Sequence, residues 1–113
     1  MKLVYKLKEQ NIPFYKFRLD KLREKIATRV YADDEGIYII YHNTIIFNYN
    51  YKNHKVKLNT DGWYTRTTKE RINQCFRTFL IDYLLYQQDY IWYIGNLKTG
   101  EVINFKNDMI LDV

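Results

Sequence analysis

The sequence predicts a single α+β domain, residues 1–113, in which antiparallel β-meanders pack with one or two short helices. Three observations lead there. A chain of 113 residues with 47% hydrophobic residues has the size and apolar content of one domain with one core. Short β-branched and aromatic runs recur between turn signals, in two groups. Between those groups lies one apolar stripe at helical spacing. Four glycines and one proline exclude a linker-like or collagen-like chain.

Residues 1–26 form a basic N-terminal segment. Asn11-Ile12-Pro13 breaks any early regular element, because proline fixes φ and lacks a backbone donor. Leu19, Leu22 and Ile26 fall at i, i+3 and i+7 among charged residues, which predicts a short amphipathic helix over about 16–26. Ala27 to Ala32 reads as a strand, and Asp33-Asp34-Glu35-Gly36 as a turn in which Gly36 can take positive φ. Ile37 to Tyr41, Thr44 to Tyr49 and Val56 to Leu58 follow as strands, with a turn within residues 48–53. Asp61-Gly62 marks the next turn. Thr67 and Glu70 have capping-box spacing, in which the Thr67 hydroxyl accepts from the Glu70 N–H and the Glu70 side chain reaches back. Ile72, Cys75, Phe76, Phe79 and Leu80 form the apolar stripe, so a helix is expected over about 68–79. Ile72, Phe76 and Phe79 should face Ile39, Ile45 and Trp92. Ile81 to Tyr86, Tyr90 to Ile94 and Glu101 to Phe105 give a second meander, turning at Gln88-Asp89 and Thr99-Gly100. Leu80 to Gln87 can instead prolong the helix, since Leu84 and Leu85 are good helix formers. A break near 79–81 is the favoured reading.

The net charge of +5 is unevenly spread. Residues 1–29 carry +6, Asp33-Asp34-Glu35 carries −3, residues 36–79 carry +5, and residues 80–113 carry −3. The two basic blocks can merge into one face, with an acidic C-terminal hairpin elsewhere. Such asymmetry fits a polyanion or an acidic protein patch, and equally an ordinary solvated surface. Lys, Asn, Ile and Tyr supply 47 of the 113 residues, a bias that fits an AT-rich genome. The 12 tyrosines suit a recognition surface, because an apolar ring carries a hydroxyl that stays wet; codon bias and half-buried strands account for them too. No run approaches the length of a membrane span, and the start is too charged for a signal peptide. The expectation is a soluble intracellular protein with no membrane partner.

Catalytic chemistry finds little support. His42 and His54 read as structural hydrogen-bonders. A single cysteine and the absence of paired ligand spacings argue against a metal cage, and Asp33-Asp34-Glu35 reads as a solvated turn. Cys75 lies on the helical stripe, where an inert buried thiol is expected. No glycine-rich phosphate loop occurs. No catalytic residue, metal or cofactor is therefore expected, and the chain reads as a non-enzyme. The informative stretch is Leu58 to Arg71, with four threonines, Trp63, Tyr64, Arg66, Lys69 and Arg71 around a helix start. Unpaired N–H groups and cations there can dock a phosphate, and Trp63 or Tyr64 can stack on a base. The competing reading has Thr67 and Glu70 satisfy the cap while Trp63 plugs the gap between sheet and helix. Lys55 and Lys57 share one strand face, and Arg77 lies on the helix's polar side. Together, Lys55, Lys57, Trp63, Tyr64, Arg66, Lys69, Arg71 and Arg77 are the candidate nucleic-acid-binding residues.

The runs Tyr41-His42-Asn43-Thr44-Ile45-Ile46, Leu58-Asn59-Thr60-Asp61-Gly62-Trp63, and Thr65 with Thr67-Thr68-Lys69-Glu70-Arg71-Ile72-Asn73 carry a resemblance. They read as Y-H-x-T-x-I, L-N-[ST]-x-G-W and T-x-T-T-K-x-R-[IL]-N, a pattern that resembles small uncharacterised proteins of tailed-phage genomes. It covers about residues 28–111. In the tail Val102–Ile110, Asn107-Asp108 stands where that family's ending has Asp-Gly. The resemblance implies a phage origin and brings no activity with it. Phage proteins of this size commonly bind a nucleic acid, a host polymerase or a host defence complex such as a CRISPR effector. The leading expectation is thus a binding protein in the host cytoplasm that contacts nucleic acid, or a host nucleoprotein complex, through a basic face. The alternative is a protein-only inhibitor that occludes a host defence or transcription enzyme with a Tyr-rich surface, in the manner of an anti-CRISPR protein.

Overall fold

A computed structural model describes Leu22 and residues 24–113. Among the described residues, eight strands and one helix are bounded, in chain order: β1 Thr28–Ala32, β2 Gly36–Tyr41, β3 Thr44–Asn50, β4 Lys55–Leu58, α1 Arg66–Thr78, β5 Tyr83–Gln88, β6 Ile91–Asn96, β7 Val102–Asn104 and β8 Met109–Asp112. The fold is α+β. Strands β1 to β4 form an antiparallel meander, β5 to β7 form a second one, and α1 touches both sheets, at β3 and β5. One strand was not foreseen. β8 returns to the first sheet and pairs with β4, Lys55 opposite Asp112 and Leu58 opposite Met109. The acidic C-terminal residues therefore lie beside the second basic block instead of apart from it.

Most of the expected helix at 16–26 lies outside the described residues. At its end, residues 24–27 form turns and bends, and Ile26 is 85% exposed, so it belongs to no buried stripe. Leu22 is buried in the core. Gly36 is not a turn residue with positive φ. It opens β2 because a Cβ there would collide with the Tyr49 carbonyl oxygen on β3. Its neighbour Asp33 makes the turn, its carboxylate accepting from the Glu35 and Gly36 N–H groups.

The five-stranded sheet has a dry face and a wet one. Ile37, Ile39, Phe47, Tyr49, Val56, Leu58 and Leu111 point to the core. Tyr31, Tyr38, Asn48, Lys57 and Ile110 stand opposite one another across the outer face. The alternation breaks once. Ile39 pairs with Phe47 but Ile40 pairs with Ile45, which leaves Ile46 as a bulge. Ile46 and Phe47 are then both buried, and Ile45, expected in the core, turns out to solvent.

On α1, Ile72, Cys75, Phe76 and Phe79 are buried as the spacing requires. The cap differs from expectation. Thr65 is the N-cap, its hydroxyl accepting from the Thr68 N–H at 3.1 Å, and Thr67 sits inside the first turn. Glu70 cannot serve a cap at Thr67, because its carboxylate is held by Arg66 at 3.0 Å one turn back. At the other end the helix stops where favoured. Leu80 takes φ 54°, its N–H donates to Arg77 O and the Ile81 N–H donates to Phe76 O. This is a Schellman closure, with a leucine in the left-handed position that glycine usually fills. The closure explains why Leu80 is exposed instead of extending the stripe.

Residues 83–88 are strand, not helix. The open edge of β5 is pinned to α1 by Asn73, whose amide donates to Leu85 O and accepts from Leu85 N–H, both at 2.8 Å. The β5–β6 turn is Asp89-Tyr90, one residue later than expected, and both take positive φ as a type I′ turn requires.

Candidate functional site

The candidate cations do not form one surface. Lys55 and Lys57 do share a strand face, but it is the outer face of the five-stranded sheet, whereas α1 covers the inner one. Lys55 Nζ lies 2.7 Å from Asp112 and Lys57 Nζ 3.7 Å from Asp108, both acids on or beside β8. Arg66 is held by Glu70. Lys69 leans towards the second sheet, 5.8 Å from the Trp92 ring centroid, with its ammonium donating to Gln87 Oε1. Arg77 is exposed in the last turn of α1, three turns from the helix start.

Trp63 and Tyr64 part company too. Tyr64 sets its ring edge-on to Trp92 and Phe105, at 5.0 and 6.0 Å, and its hydroxyl accepts from Asn107 Nδ2. Trp63 is 67% exposed and stands on the rim of a cavity of about 290 Å³. Three segments converge on that cavity. The β2–β3 hairpin contributes Tyr41, His42, Thr44 and the bulged Ile46. The loop before α1 contributes Thr60 with Trp63, and the first turn of α1 contributes Thr65 and Thr68.

Each segment is held by local chemistry. His42 adopts φ 55° in the two-residue turn between paired Tyr41 and Thr44. Its N–H donates to Ala27 O at 2.8 Å, and its carbonyl accepts from Arg29 at 3.2 Å, which ties the turn to the start of β1. Thr60 is fixed by Asn107, whose side-chain oxygen accepts from both the Thr60 N–H and hydroxyl. The neighbouring Asp108 takes φ 65°, the backbone that a glycine would adopt there, so the Asn107-Asp108 pair keeps a left-handed turn. The Thr65 and Thr68 hydroxyls lie 2.9 Å apart, bonded to each other.

Arg71 lies behind this cavity. It is only 8% exposed, with its guanidinium carbon 5.6 Å from the ring centroid of Tyr41, a cavity wall. Nη1 donates to Gln74, Nε has no hydrogen-bond partner, and no carboxylate pairs with Arg71 among the described residues. A buried cation without a counter-ion is costly, so the site carries unbalanced positive potential. The first turn of α1 adds to it, holding Arg66 and Lys69 and no acidic residue. Among the described residues no cluster of His, Cys, Asp or Glu has the makings of a metal site. Burial pushes the Cys75 thiol up, against a smaller opposing pull from Arg71 and Arg77.

The same three segments are the ones that carried the sequence resemblance, and a wider comparison decides the family. The sequence matches the Kyanoviridae Gp96 protein family over residues 6–112. The chain belongs to this phage protein family. The match takes in most of the basic N-terminal segment, which the resemblance had left aside. No curated protein and no solved structure matches the chain. No helix among the described residues is long and apolar enough to cross a membrane.

Sequence reasoning singled out Trp63 and the threonine-rich stretch, but missed the cavity. Its other wall comes from Tyr41, His42, Thr44 and Ile46, some twenty residues earlier, and only the hairpin's tie to β1 and the bulge at Ile46 bring them there. The one legible signal was the density of hydroxyls, with Thr60, Thr65 and Thr68 within nine residues.

Proposed function

We propose that this phage protein is a non-enzymatic binding protein that contacts nucleic acid, alone or within a host nucleoprotein complex, through the surface around the start of α1. The observation that carries this reading is the exposed Trp63 beside a helix start that holds two cations, no acid, and a buried unpaired Arg71 behind it. A helix N-terminus favours anions, and acids in its first turn would normally meet that demand. Here no acid of the first turn meets that demand and the Thr65 hydroxyl takes up the Thr68 N–H, which suits a phosphate at the remaining N–H groups, and an exposed indole suits an unstacked base. Anisotropy of labelled single-stranded DNA and RNA octamers tests it at low and moderate salt. Binding that weakens with salt is expected, with the slope flattened by about one to two units in the Arg66→Ala/Lys69→Ala double variant.

A second reading has its own observation. The outer sheet face exposes Tyr31 against Tyr38, their rings 5.7 Å apart, in a row that ends at exposed Ile110. That face suits a protein partner, as an inhibitor occluding a host enzyme would need. Absence of oligonucleotide binding at low salt would move this reading to first place.

A further inference from the structure

A second recess adjoins the cavity and shares His42 with it. It is wider and more open, about 480 Å³, and polar where the cavity is largely apolar. Lys25, Arg29 and Asn43 line it together with the backbone turn at Ala27 and Thr28. Among the described residues, no acidic one lines either space. Lys25 makes no ion pair among the described residues, and Arg29 spends one donor on the His42 carbonyl, with no carboxylate partner.

We infer that the two recesses form one nucleotide subsite, with the base in the cavity and its phosphate on Lys25 and Arg29. The inference rests on the nucleic-acid reading above and names the unit that the surface recognises. Volume is the first argument. About 290 Å³ lies at the lower end of ligand clefts, so it admits one ring system and not an extended ligand. Chemistry is the second. The Tyr41 and Trp63 rings offer flat faces, and Ile46 supplies apolar contact. The Thr44 hydroxyl can donate or accept at a base edge. Such a lining stacks any base with little regard to sequence. The third argument is the order of the two spaces. A more enclosed, apolar slot for the ring adjoins at His42 a more open cationic recess, where a phosphate can remain hydrated and the strand can continue. His42 forms the shared wall, and its position is fixed by its N–H donating to Ala27 O and by the Arg29 guanidinium donating to its carbonyl. The buried charge of Arg71 beyond Tyr41 raises the potential on the base side, favouring an anionic strand over a neutral peptide.

The test compares two strands that carry equal phosphate charge. One is a dT octamer; the other is an eight-unit abasic strand. With the wild-type protein at low salt, the dT octamer should bind about tenfold more tightly, since one stacked base is worth that much. Trp63→Ala and Thr44→Val should erase most of the preference while leaving abasic binding unchanged. Both sites are outside the core, so melting temperature should stay within a degree or two of wild type. Lys25→Ala/Arg29→Ala should weaken both strands and flatten the salt slope by about one to two units. Equal binding of the two strands by the wild type would overturn the nucleotide subsite and leave the nucleic-acid reading standing. So would a base preference that survives both cavity variants. No binding of either strand would overturn both. Capture of a phosphotyrosine peptide, with neither strand bound, would also overturn both and assign the site to protein.

Discussion

The two ends of α1 are built from opposite materials. At the C-terminal end, Phe79 stacks on Phe47 with ring centroids 5.5 Å apart, Phe76 meets the same ring edge-on at 6.1 Å, and a Schellman closure satisfies the last carbonyls. At the N-terminal end, threonines cap the helix, a tryptophan stands in solvent, and a cavity is left open beside the first turn. One helix thus joins a region that buries apolar surface to a region that leaves polar groups and space unfilled. Burial supplies stability, and unfilled polar space does not. The contrast teaches that stability resides at the aromatic end, and the proposed function places recognition at the threonine end.

The largest effect that could break this division is in the core. Phe76→Ala should cost about 3–5 kcal/mol, a large share of the stability of a small domain. Chemical denaturation measures it; a loss below 1 kcal/mol would mean the aromatic end is not where stability resides. Asn73→Ala comes next. It orphans the N–H and carbonyl of Leu85 at the edge of β5 and should cost about 2 kcal/mol. Hydrogen exchange should show faster protection loss in β5 than in β3. A smaller cost is expected at the N-cap, where Thr65→Ala should lose about 1 kcal/mol and Thr67→Ala less than half of that. A larger loss at Thr67 than at Thr65 would restore the cap expected from the Thr67–Glu70 spacing. The smallest effect has the opposite sign. Leu80→Gly should gain up to about 1 kcal/mol, because glycine relieves the left-handed strain at φ 54°. A lower melting temperature in that variant would show that the closure gains more from the leucine side chain than it loses to strain.

Local pattern carried much of the fold. The alternation in Ile37–Tyr41 and the stripe Ile72-Cys75-Phe76-Phe79 state which faces are buried, since both follow directly from strand and helix periods. What could not be read depends on contacts distant in sequence. Met109–Asp112 looks like a tail until Lys55–Leu58 offers it an edge. Ile45 looks buried until one extra residue at Ile46 shifts the register. The capping residue was misplaced by two positions because T-x-x-T and T-x-x-E spacings overlap in Thr65-Arg66-Thr67-Thr68-Lys69-Glu70, and only the Arg66–Glu70 ion pair decides between them. The candidate site was legible in part for the same reason. Trp63 announces itself as an aromatic in a polar loop, whereas Lys25, Arg29 and His42 come to line one recess only when the hairpin folds back on the start of β1.

Tryptophan emission gives the most direct test of the division of labour along α1. Of the two tryptophans, Trp92 is buried and Trp63 is exposed at the cavity rim. Titration of the protein with a dT octamer at low salt should quench or shift the emission, and the change should vanish in Trp63→Phe and reverse on adding salt. The melting temperature of Trp63→Phe should match that of the wild type. Emission that does not respond to the octamer, or a response that persists undiminished in Trp63→Phe, would contradict the placement of recognition at the threonine end of the helix.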